Sequence, residues 1–176
     1  MTTTEVTLDQ VHDGIVNTLA AKFPSLHVEA YREDRKSLPI PACLIELDEI
    51  EVSPNDDPGT GQLAVMATFH ALLVLPFKLP GQNPMREVRN MAAAVAAFAR
   101  LQRWGCPIGP AMVLGAYQDD FRPELDQYEV WRVEWQQIIH LGEDVWKGGT
   151  RPHTIMGSWT PEIGIPHEPD YVQVAP

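Results

Sequence analysis

The chain has 176 residues, which fits one domain with a core large enough to be stable alone. Its 44% hydrophobic and 21% charged content is ordinary for a globular protein, and its formal net charge is -11, from 24 acids against 13 bases. The bases are scattered, and the longest cluster, Arg32 to Lys36, contains two acids, so sequence-specific nucleic-acid binding and adhesion to anionic membranes are both disfavoured.

Met1 to Glu5 has neither the basic nor the apolar region of a signal peptide. Thr7 and Gln10 then form a T-x-x-Q capping box, and Leu8, Val11, Ile15, Leu19 and Phe23 recur on one helical face. Pro24 stops that helix. Leu26, Val28 and Ala30 alternate with polar neighbours and predict a short half-buried strand. Residues 32–41 read as a loop. A second strand runs from Ala42 to Val52, with Cys43, Ile45 and Leu47 on one face and Glu46 and Asp48 on the other. Past Asp48 the apolar set slips to Ile50 and Val52, as a β-bulge would make it do.

Residues 53–61 are a turn-rich connection. A long strand from Gln62 to Phe77 follows, and its near-continuous apolar character predicts a central position covered on both faces. It contains the longest apolar run, Leu63 to Pro76, which Thr68 and His70 break and which is too short for a membrane-crossing helix. Asn83 and Pro84 open a second helix, whose stripe is Val88, Met91, Ala92, Val95, Phe98 and Ala99. Gly105 suits the left-handed position after it. Two more strands, about Ala111 to Tyr117 and Tyr128 to Leu141, close the domain across a turn containing Pro123 and Asp126. The order is helix, three strands, helix, two strands. It predicts an α+β fold: an antiparallel or mixed β-sheet of about five strands with two main helices packed on it.

After Trp146 the pattern changes. Residues 1–146 form the predicted domain, and 147–176 form an extended Pro/Gly-rich C-terminal arm with five prolines, four glycines and no periodicity. The arm still carries Ile155, Met156, Trp159, Ile163, Ile165, Tyr171 and Val174. With Trp146 these are the candidate interface residues, fitted to a groove on the same domain or on a neighbouring subunit.

Each candidate for chemistry has a bland reading. Gly59-Thr60-Gly61 with Ala64 matches a dinucleotide-binding pattern, but a strand opens there instead of a helix, so it reads as a turn. Glu46, Asp48, Glu49, Glu51, Asp56 and Asp57 fall within twelve residues without calcium-loop spacing and read as a solvated acidic surface. His70 and His140 lie in central strands and could meet in space. His153 and His167 lie in the arm without further zinc ligands. Ser158 has no nucleophile elbow around it. Cys43 and Cys106 lack pair spacing and read as free thiols. No catalytic residue, cofactor or metal site is assigned, and the expectation is a protein that is not an enzyme. A small enzyme with an unrecognised site, or a small-molecule binder using a groove between the second helix and the sheet, are the readings from other classes.

The stretch from Tyr128 to Trp146, YEVWRVEWQQIIHLGEDVW, resembles the closing strand of small proteins encoded in phage tail modules. The element order before it is similar to the tail terminator family of long-tailed phages, the lambda-type and Mu-like groups, over about residues 7–146. The resemblance implies a structural virion protein of the tail and neck, assembled in the host cytoplasm. It implies a six-fold ring that caps the tail tube, stops its polymerisation and presents the head-joining surface. The implied partners are further copies of the chain, the tail tube protein and a head–tail connector or stopper; another neck component is the nearest alternative. The acidic stretch would then line the ring and let DNA pass without sticking.

Overall fold

In a computed structural model the described residues are 5–32, 38–77, 83–119, 125, 127–145 and 155–175. They fall into two compact units, Met1–Val145 and Trp146–Pro176. The expected loop at residues 32–41 lies partly, and Pro123 and Asp126 wholly, outside the described residues.

In the first unit α1 spans Leu8–Lys22 and opens on the complete capping box: the Thr7 hydroxyl accepts from the Gln10 backbone N–H, and the Gln10 side chain accepts from that of Thr7. Strands β1 (His27–Ala30), β2 (Ala42–Val52) and β3 (Leu63–Pro76) follow, then α2 (Pro84–Ala99), β4 (Met112–Gln118) and β5 (Tyr128–Leu141). They form one mixed sheet in the order β1-β2-β3-β5-β4, so the fold is α+β. Only the β1–β2 pair is parallel; the other three pairs are antiparallel. Strand β3 is central, and all of it from Ala64 to Leu75 except Met66 is buried.

Both helices cover one face of the sheet. Val11, Ile15 and Leu19 of α1 and Val88, Ala92, Val95 and Ala99 of α2 share a core with Cys43, Ile45, Phe69, Leu73, Val133 and Trp135. Each such Val, Ile or Phe contributes about 1.5–3 kcal/mol by leaving water. Close packing explains Gly14 inside α1: a Cβ there would stand 2.6 Å from the carbonyl oxygen of Trp104. The opposite face is divided. Ala42, Leu44, Leu72, Val74, Leu125 and Val130 make a second, smaller core at one end, while Glu46, Thr68, His70, Arg132, Glu134 and Gln136 occupy the rest.

Two expectations are refined here. The slip in β2 is a register shift between Leu47 and Glu49, which leaves Asp48 without a partner on β3. Gly105, by contrast, is not the residue that ends α2. The helix stops at Ala99, and the first left-handed residue after it is Leu101, with φ 66°. Gly105 (φ 74°) belongs to a separate turn beside Trp104 (φ 55°). A left-handed non-glycine residue costs about 1–2 kcal/mol. The Leu101 N–H donating to the Ala111 carbonyl, the Ala111 N–H donating to the Gln102 carbonyl, and burial of Trp104 offset that cost.

The second unit is small. Strand β6 (Ile155–Gly157) pairs antiparallel with β7 (Val172–Ala175), and a 3-10 helix covers Ile165–Asp170 between them. Within the expected arm, two short extended segments pair with each other. Among the residues of this unit whose burial is described, 156–174, none is buried.

Candidate functional site

The densest group of titratable side chains lies on the divided face of the sheet. One rung of the ladder crosses three strands: Glu46 on β2, His70 on β3 and Glu134 on β5 are direct partners. Partners across a rung bring their Cβ atoms to about 4.5–5.5 Å, close enough for the side chains to meet. The bulge adds Asp48, which sits between the Glu46–His70 and Glu49–Thr68 rungs instead of taking the latter. The imidazole Nδ1 is 3.6 Å from Glu46; Nε2 is 3.8 Å from Asp48 and 3.6 Å from Glu134. Arg132 holds the far side, 3.7 Å from Glu134 and 3.8 Å from the buried Asp119.

His70 is only 4% exposed, and its Nδ1 has no hydrogen-bond partner. Glu46 is half-buried and Asp48 exposed. Asp48 thus lies on a solvent-exposed strand face as expected, and Glu46 at its half-buried border, while both also approach a buried ring. The pairing of His70 with His140 is corrected. The latter stands opposite Ala64, six residues or roughly 20 Å along β3 at strand spacing. Its Nε2 lies 3.0 Å from the carbonyl oxygen of Asp56. The signal for the cluster was present as two acids at alternate positions, Glu46 and Asp48, but only strand order brings Glu134 and His70 beside them.

The remaining acids do not join it. Glu49 and Glu51 are exposed on β2. Asp56 accepts from the Ser53 hydroxyl at 2.6 Å, and Asp57 accepts from the Gly59 backbone N–H at 2.8 Å, so both stabilise the turn. The glycines of that turn have φ values of 70° and 77°, and a strand opens after them. The two cysteines are free. Burial pushes the Cys43 thiol up to about 12 and raises that of Cys106.

A second buried polar group, Gln137 on β5, escaped the sequence reading. Its carbonyl oxygen accepts from the indole N–H groups of Trp104 at 2.6 Å and Trp135 at 3.2 Å. Its amide donates to the carbonyls of Gln102 at 3.1 Å and Gly109 at 2.8 Å. Four partners satisfy a fully buried amide, which ties the loop after α2 to the sheet.

Among the candidate interface residues Trp146 lies outside the described residues, and Ile155 opens β6. Met156, Trp159, Ile163, Ile165 and Val174 are exposed, with Ile165 at 85% and Trp159 at 70%. Tyr171 is half-buried, and its hydroxyl accepts from the Gly164 backbone N–H at 3.0 Å. No model of a known protein family matches this chain, and no curated protein matches it.

Proposed function

We propose that the chain is a structural phage protein of the tail terminator kind, forming a ring, six-fold by the family pattern, on the end of the tail tube. The observation that carries this reading is the exposed apolar surface of the arm. Met156, Trp159, Ile163, Ile165, Val172 and Val174 all stand open to solvent. A two-stranded ladder alone is marginal in water, and apolar groups gathered in this way mark a surface that a partner covers. A ring joins one patch to a different patch on the next copy, and an apolar arm and an acidic β2 are two unlike patches. The edge strands β1 and β4 offer backbone groups for the same purpose.

In this reading the role is mechanical and not enzymatic. Glu49 and Glu51 would face the channel and repel DNA phosphates. The tail tube protein and a head–tail connector or stopper are the partners, and the place is the neck of the virion after assembly in the host cytoplasm.

Light scattering with negative-stain microscopy tests the proposal. A ring of six 19.7 kDa chains with a central hole, binding the ends of purified tail tubes, is the expected result. A ring that binds filled heads and ignores tubes would move the assignment to a stopper or connector. A protein that stays monomeric and caps neither sinks the reading.

A further inference from the structure

We propose that Glu46, Asp48 and His70 bind one divalent cation of the zinc type on the sheet face away from the helices. One donor atom from each of the three lies within 4.8 Å of the other two. The ring's own distances to its carboxylates, 3.6 and 3.8 Å, are too long for hydrogen bonds. Charge-assisted hydrogen bonds would close to about 2.7–2.9 Å. Ligands sharing a tetrahedral zinc ion, each about 2.0–2.2 Å from the metal, stand roughly 3.3–3.5 Å apart. The 3.6 Å from Nδ1 to Glu46 is close to that spacing, whereas the 3.8 Å to Asp48 is measured from Nε2, so Asp48 turns toward the Nδ1 side to share the same ion.

A second observation points the same way. The Nδ1 atom of His70 is buried without a hydrogen-bond partner, inside a ring aimed at the carboxylates. Leaving such an atom unsatisfied costs about 1–3 kcal/mol, and a metal–nitrogen bond or a carboxylate drawn onto the ring by metal binding removes that cost. Glu134, held by Arg132, is the carboxylate that orients the ring, and Asp48, the exposed member, gives the ion its path from solvent.

The donor set selects the ion. One imidazole nitrogen with two carboxylate oxygens suits zinc and its first-row neighbours. Magnesium and calcium take oxygen ligands throughout. The bulge is what builds the set, because it places Asp48 beside the Glu46–His70 rung.

The experiment is calorimetric titration of full-length, tag-free protein, stripped with chelator, against zinc chloride. One site per chain is expected, left unfilled by magnesium at the same concentration. A Glu46→Gln, Asp48→Asn double variant with unchanged circular dichroism should lose at least tenfold in zinc affinity. A His27→Gln, His167→Gln variant should keep it, since those two histidines pair with Glu29 and Asp170 and are not members of the cluster. Absence of saturable uptake overturns the proposal. So does uptake that survives the double carboxamide variant, or that vanishes in the variant lacking His27 and His167.

Discussion

The sheet domain and the arm carry the same kinds of large apolar side chain at opposite exposure, and two tryptophans measure the difference. Trp135 on β5 is fully buried, stacked on Phe69 at 5.8 Å between ring centroids and tilted against Trp104 at 5.7 Å. Trp159 is 70% exposed. Local sequence separates them only as far as strand alternation around Trp135 against an aperiodic, Pro/Gly-rich stretch around Trp159. The separation comes from layering: β5 has helices on one face and strands on both sides, whereas the arm's two short strands form a two-stranded sheet of their own.

The sharpest way to break that comparison is to make the same change in both places. Trp135→Ala should lower unfolding free energy by about 3–5 kcal/mol. Trp159→Ala should change it by less than about 0.5 kcal/mol in the dissociated chain while weakening assembly. Urea denaturation of the monomer, read beside light scattering, separates the two effects; an equal stability loss at Trp159 would show that the arm is already packed. Gln137→Leu comes next. It strands two indole N–H groups and two carbonyls, and a loss of roughly 2–4 kcal/mol is expected by the same denaturation. A neutral result there would mean that the amide contributes shape and not hydrogen bonding.

Gly14→Ala sharpens the contrast at the backbone. In an open helix alanine gains about 0.8–1 kcal/mol over glycine. Here the new methyl meets the Trp104 carbonyl, so a net loss of about 1–3 kcal/mol is expected in thermal unfolding, with stabilisation as the outcome that refutes the close approach.

The smallest effect concerns pH. Burial lowers the pKa of His12, against the opposing pull of Asp13 and Asp9. The unfolded chain therefore takes up a proton near the ordinary value of about 6.5, before the folded chain does. The stability contribution is full above that value and declines as pH falls from it toward the depressed folded value. His12→Gln should flatten this part of the profile, by less than about 1 kcal/mol between pH about 7.5 and about 5.5 in urea midpoints. An unchanged slope would assign the pH dependence elsewhere.

Much of the fold was legible because short-range rules set it. Side-chain periodicity, the Thr7–Gln10 box, the Asn83–Pro84 start and the slip after Asp48 are local features, and α1, β2, β3, α2 and β5 follow from them. The end of α2 was misread because Gly105 is a plausible terminator, whereas tertiary hydrogen bonds hold the unlikely Leu101 left-handed instead. The candidate site was the least legible part. Glu46 and Asp48 were visible as acids and His70 as a strand histidine, but their meeting depends on which strands are neighbours.

What the sequence by itself determined is therefore the menu of elements and the α+β class, since period, caps and turn residues act within a few residues of one another. The tertiary structure decided the strand order β1-β2-β3-β5-β4, and with it the Glu46–His70–Glu134 rung, the Gln137 hub and the close approach at Gly14. These join residues up to 90 positions apart, Gly14 and Trp104 being the widest pair. Such contacts form because two layers must bury their apolar faces together, a constraint of the whole chain and not of any segment.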